Sequence, residues 1–200
     1  HGLWDWDFPT GPNLLNVTVD GREVKALAQV SKQAVTYVLD RVTGEPVWPI
    51  EERPVPQGNV PGEWYSATQP FPTKPPPFDR QGITIDDLID FTPDLRAEAL
   101  ELVNSRARFG PLFSPPVLRD AEKPYIQVPG AGGGANWQGA AADAELIEHL
   151  TRHLQAPDVV NDHVLVVGVL AVAVHVHAPY GFGARAAVTD GHHALDLLVG

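Results

Sequence analysis

Turn punctuation constrains this chain most. From Asn13 to Ile50 the sequence reads "NLLNVTVDGREVKALAQVSKQAVTYVLDRVTGEPVWPI", a series of short apolar runs cut by turn pairs. Asp20-Gly21 between "LLNVTV" and "EVKALAQV" is a hairpin signal, because both residues tolerate positive φ. "AVTYVLD" is β-branched and aromatic, and Thr43-Gly44 turns the chain into "PVW". Strands this short, with a turn every 8–12 residues, predict a sandwich or a propeller. The 20 prolines and 18 glycines in 200 residues reinforce a loop-rich, mainly β architecture over a helical bundle.

Residues 51–80, "EERPVPQGNVPGEWYSATQPFPTKPPPFDR", are too proline-rich for an interior strand or a helix. They read as a long ordered excursion pinned by Trp64, Tyr65, Phe71 and Phe78. Residues 84–107 read as helical. Thr84 can cap "IDDLIDF", and Thr92 can cap a second helix with Pro93 at its first position. Leu95, Ala99 or Leu100, and Val103 share one face of that helix. The glycine run before Asn136-Trp137 either lets backbone approach a neighbour closely or allows a sharp turn.

Composition shifts near Ala142. Beyond it lie seven of the eight histidines, two of the 20 prolines and no lysine. Residues 144–200 therefore read as an atypical tail, frameshifted or rearranged, beginning with the helix-prone "AELIEHLTRHL". His175 and His177 alternate there, and His192-His193 are adjacent, which is a thin basis for a zinc site.

The formal charge of −11 argues against a nucleic-acid partner, since phosphate binding needs a basic surface. With no cysteine there is no disulfide framework and no thiolate metal site. No stretch reads as a signal peptide or a membrane span. Lacking methionine and starting at His1, the chain reads as a mature product, a trimmed piece or an internal fragment. Asn16-Val17-Thr18 fits a glycosylation acceptor, a motif common by chance, and Glu51-Glu52 reads as a solvated pair.

"LWDWDFP" at Leu3–Pro9 raises a sharper question, because it alternates acids with large aromatics. A carboxylate desolvated by indoles becomes a better general base. The plainer reading is a strand end with tryptophans in and aspartates out.

Several strings in order resemble the quinoprotein dehydrogenases, in the membrane-bound glucose and quinate dehydrogenase branch: "LWDWDFPTGPNLL", "VSKQAVTYVLDRVTGEPVWPIEERPVPQGNVPGE", "TQPFP", "GPLFSPP" and "PGAGGGANWQGAA". The resemblance covers residues 1–143. It implies pyrroloquinoline quinone (PQQ) and Ca²⁺ as cofactors. It also implies an eight-bladed propeller, of which this chain would hold about two to three blades, an incomplete fragment with a helical excursion near 84–107. By the same resemblance Asp5 is the catalytic base, and Lys32, 27 positions on, is the cation at the reactive carbonyl edge of the quinone. Asn136 contacts the cofactor and Trp137 shapes the wall of its site.

These residue types suit the chemistry. Asp5 can take the proton of a substrate hydroxyl. Lys32 can stabilise the oxygen charge that develops on the quinone, and Ca²⁺ would polarise the same carbonyl. The resemblance further implies a sugar or alcohol substrate, a quinone electron acceptor and a periplasmic location, with membrane contact only through a segment outside this stretch. Gly2 stands where the family has an Asp. The family's main calcium ligands, a Glu and an Asn, have no counterpart in this chain, so the chain by itself is expected to be inactive. The rival expectations are a non-catalytic β-rich binding module and a piece of a broken gene.

Overall fold

A computed structural model describes residues 1–118, 122–130 and 132–143. The tail at 144–200, with its helix-prone and histidine-bearing runs, lies outside the described residues.

Strands β1 (Asn13–Val19), β2 (Arg22–Val30) and β3 (Thr36–Asp40) form an antiparallel meander in the order β1-β2-β3. Asp20 and Gly21 take φ of 50° and 74°, the left-handed pair that a two-residue hairpin turn requires. Their turn pairs Val19 with Arg22 and so sets the register. That register sends Leu15, Val17 and Val19 to the same side as Ala26, Ala28 and Val38, all buried. Each large buried aliphatic side chain there contributes about 1.5–3 kcal/mol. The expected Thr43-Gly44 turn forms, with Asp40 Oδ1 accepting from Val42 N at 2.8 Å and Gly44 at φ 83°. It returns the chain so that Pro46 bridges Leu39, and Val47 and Trp48 cover the core.

The proline-rich excursion contains a ribbon of β4 (Ile50–Pro54) and β5 (Thr68–Pro72). Each strand of a two-stranded ribbon has a free edge, which is where proline is tolerated. Tyr65 and Phe71 do pin the excursion, in a second core with Leu3, Trp6, Val55, Leu112 and Phe113. Phe78 packs instead on Val30 and Ala135. Trp64 departs from expectation: it is 87% exposed and pins nothing.

The 84–107 region holds the two expected helical segments, the first of them only one turn long. Ile85–Asp87 makes a single 3₁₀ turn, and Asp87 Oδ2 accepts from Thr84 N at 2.7 Å and Thr84 Oγ1 at 2.9 Å. The helix proper, α1, spans Pro93–Arg106, and Thr92 Oγ1 accepts from Leu95 N at 3.2 Å as its cap. Steric conflict with Pro93 keeps Thr92 extended, at φ −142° and ψ 155°, so no helix can run through it. Val103 faces inward, whereas Leu95 is 40% exposed, so the expected apolar face is only half buried. Two short strands flank this region: β6 (Gly82–Ile83) and β7 (Gly110–Pro111) pair antiparallel.

Candidate functional site

Three stretches far apart in sequence meet around Lys32. The first is Leu3–Asp7. It is a turn, closed by Trp6 N donating to Leu3 O at 3.1 Å, and Trp4 takes a left-handed φ of 48°. Leu3 and Trp6 point into the second core, while Asp5 and Asp7 stay on the exposed side. The Trp6 indole meets Phe113 edge-on at 5.0 Å and Trp4 at 5.6 Å. Trp4 Nε1 donates to Glu63 Oε1 at 2.9 Å, which ties the turn to the proline-rich excursion.

The second stretch is the turn from Ser31 to Val35 between β2 and β3. Ser31 N and Ser31 Oγ both donate to Val35 O, at 3.1 and 3.0 Å, and Ala34 sits at φ 62°. This turn is fastened to the first stretch by Lys32 N donating to Asp7 O at 3.3 Å and Gln33 Nε2 donating to Trp6 O at 2.6 Å. A left-handed φ costs a non-glycine residue on the order of 1–3 kcal/mol. Trp4, Ala34 and Phe113 (φ 65°) all bear that cost beside Lys32 or Trp6, and the contacts around them hold it in place.

The third stretch is the glycine run. Gly134 N donates to Lys32 O at 2.8 Å. A Cβ on Gly133 would fall 2.5 Å from Lys32 Cβ, and one on Gly134 would fall 2.4 Å from Ala34 Cβ. The glycines therefore serve close backbone approach, and what they approach is the Lys32 turn.

Lys32 lies in this enclosure with its side chain only 7% exposed. Its Nζ donates to Asp5 Oδ2 at 2.8 Å and reaches Asp7 Oδ1 at 3.0 Å. The hydrogen bond to Asp5 holds the ammonium above the ordinary lysine pKa; burial opposes this and Asp7 adds to it. The result is a fixed cation clamped between two carboxylates. Both carboxylates are largely open to solvent, Asp5 at 77% and Asp7 at 64%. The expectation that the tryptophans desolvate Asp5 is not met, because the indoles spend their surface on each other, Tyr65 and Phe113.

Asn136 belongs to the loop that packs on Lys32, and its own hydrogen bonds run within that loop. Its Nδ2 donates to Gly132 O and its Oδ1 accepts from Trp137 N, both at 2.8 Å. Trp137 stands 74% exposed. Asp7 was not singled out by sequence. The signal for it was the two-residue spacing from Asp5, which puts both acids on one side of an extended or turning segment. Among the described residues no three His, Cys, Asp or Glu side chains gather as a metal site, and no helix is long and apolar enough to cross a membrane.

Residues 1–165 match the family model described as glucose/ethanol/alcohol dehydrogenase, β-propeller domain, a PQQ family. The chain is 33% identical over 145 residues to the glycerol dehydrogenase large subunit of Gluconobacter oxydans, covering 72% of this chain and 19% of that protein. It is 33% identical over 150 residues to the quinoprotein glucose dehydrogenase of Escherichia coli, covering 72% and 17%. The quinate/shikimate dehydrogenase (quinone) of Acinetobacter baylyi is 33% identical over 145 residues, again covering 72% and 17%. The chain thus spans less than one fifth of the length of these relatives. No solved structure matches it significantly. The mainly antiparallel β architecture and the family match over most of its length agree: this chain belongs to the PQQ-dependent quinoprotein dehydrogenase family, within its β-propeller domain.

Proposed function

We propose that this chain supplies the proton-accepting and charge-stabilising part of a site for PQQ-dependent oxidation of a sugar or alcohol. The observation that carries this reading is the buried Lys32 ammonium held 2.8 Å from the exposed Asp5 carboxylate. An ammonium has three donors, and Asp5 and Asp7 engage two. The third is free in number to meet a carbonyl oxygen, so the donor set fits a quinone. PQQ, when bound, supplies the two-electron acceptor.

Asp5 is the base: one of its oxygens is fixed by Lys32, and its exposure leaves it open to a substrate hydroxyl. Lys32 is the cation that stabilises oxygen charge where it develops. Asn136 and Trp137 are assigned to the cofactor's surroundings, since their loop packs on Lys32. Ca²⁺ is part of the reading, with its main ligands supplied from outside this chain. A quinone electron acceptor and a periplasmic setting complete it, in keeping with the relatives named as quinoprotein and quinone-linked dehydrogenases. Residues 1–143 are read as propeller by resemblance, and the family match runs on to residue 165.

Alone, the chain lacks the rest of the channel and does not turn over. The test is a chimera in which residues 1–143 replace the matching segment of the E. coli quinoprotein glucose dehydrogenase. Dye-linked glucose oxidation is expected from the chimera and not from the isolated chain. Asp5→Asn in the chimera should lower kcat by about 10²–10⁴ while PQQ binding persists. Full turnover by that variant would refute the role of Asp5, and turnover by the isolated chain would refute the partial-site reading.

A further inference from the structure

Lys32 is clamped by two carboxylates that are not held alike. Asp5 meets the lysine through its side chain, with Oδ2 2.8 Å from Nζ. Asp7 meets it twice: Asp7 O accepts from Lys32 N at 3.3 Å, and Asp7 Oδ1 lies 3.0 Å from Nζ. The bond from Gln33 Nε2 to Trp6 O, at 2.6 Å, fastens the same two stretches of main chain one residue along. Asp7 is thus tied to the very residue whose charge it balances.

The lysine itself has little room. Its side chain is 7% exposed, and the Gly133-Gly134 backbone is packed against its stem. A buried ammonium is tolerated only while a counter-charge stays with it. With Asp5 as the base, one of the two counter-charges is lost in the reaction. The substrate O–H bond breaks, its proton bonds to a carboxylate oxygen of Asp5, and the electron pair stays on the substrate oxygen. That pair becomes the carbonyl bond as hydride leaves the carbon for PQQ, the two-electron acceptor. Asp5 is then a neutral acid. Held by Asp5 alone, Lys32 would lose its carboxylate partner at the step in which its position matters. A second carboxylate that takes no part in the transfer keeps it paired.

We propose that Asp7 is the positioning residue for Lys32, keeping the ammonium charged and in place while Asp5 carries the proton. The proposal rests on the reading above in taking Asp5 as the base. Asp7 also lines a cleft of about 310 Å³ beside the clamp, so the rival to be separated is Asp7 as the base itself.

The Lys32 ammonium can be read directly, by NMR of the full chain carrying ¹⁵Nζ-labelled lysine, without PQQ. A buried, paired ammonium exchanges its protons slowly with water and gives a resolved signal, assigned by its loss in Lys32→Gln. Asp5→Asn imitates the protonated base, since the shape remains and the charge goes. The Lys32 signal should persist in Asp5→Asn and in Asp5→Ala, both changes at an exposed side chain. It should vanish in Asp5→Asn/Asp7→Asn and return in Asp5→Asn/Asp7→Glu. Its loss from Asp5→Asn and Asp5→Ala while the β1–β3 amide signals are intact overturns the proposal, as does its persistence in Asp5→Asn/Asp7→Asn. In the chimera described above, Asp7→Asn should lower kcat by up to about 10²-fold with KM unchanged, and Asp7→Glu should recover part of the loss. An unchanged kcat overturns the proposal. So does turnover that survives Asp5→Asn but not Asp7→Asn, which would make Asp7 the base. An inactive chimera would sink the redox reading, while the ammonium signal, which needs neither PQQ nor turnover, still decides whether Asp7 holds Lys32.

Discussion

Gly133→Ala probes how tightly the glycine loop is fitted to Lys32. Gly133 sits at φ +80°, where an L-residue costs about 1–2 kcal/mol. The new methyl would also lie 2.5 Å from both Cβ and Cγ of Lys32 and 2.7 Å from its Cα, and backbone cannot swing aside as a side-chain tip can. Overpacking of that kind costs about 1–3 kcal/mol more. The sum is a loss of about 2–5 kcal/mol, and a chain of this size loses about 2–4 °C of melting temperature per kcal/mol. Gly132→Ala is the matched control, since a Cβ there meets nothing within 4 Å, and it should fall within about 0.5 kcal/mol of the parent. Urea unfolding followed by tryptophan fluorescence reads both variants, with the midpoint compared at equal slope. If Gly133→Ala and Gly132→Ala unfold at the same urea concentration, the loop does not press on Lys32 and the enclosure described here is wrong.

Alkaline stability gives a second test. Burial, then the nearby charge of Glu52, pushes the Tyr37 phenol up to about 12, and Lys32 is also raised above 10.5. A raised folded pKa means the native state holds the proton longer. The stability contributed is full below the unfolded values and is lost as pH climbs through the folded ones. Unfolding midpoints should therefore fall between pH 10 and about 12, and Tyr37→Phe should flatten that decline; an unchanged slope would remove Tyr37 from the account. Trp6→Ala should cost about 3–5 kcal/mol in equilibrium unfolding, because it empties the centre of the second core. Thr92→Ala should cost about 1 kcal/mol and speed amide exchange in the first turn of α1 while leaving β1–β3 protected.

The meander was legible because its cues are local: Asp20-Gly21 and Thr43-Gly44 fix turns through their own backbone, and alternation then fixes the faces. Lys32 and Asp5 were legible only through resemblance, since nothing within five residues of either announces the other. Asp7 shares its partner with Asp5, and spacing alone cannot show that one cation takes two acids. The glycine run announced close approach without saying to what. Trp64 and Tyr65 are adjacent aromatics in one loop, yet only Tyr65 turns into the core, a choice made by tertiary packing that composition cannot encode.

Chain order has a kinetic consequence at Lys32. Its two carboxylates are made before it, but the loop that closes over it is made about 100 residues later, and Asn13 is bonded to Ala140 across a separation of 127. At ribosomal speed that interval is on the order of 5–20 s, whereas a hairpin such as β1–β2 forms in about 1–10 μs. The meander and the ammonium–carboxylate clamp can therefore assemble early, with one side of Lys32 still facing water. The site is built open and sealed last, by glycines whose only qualification is the side chain they lack.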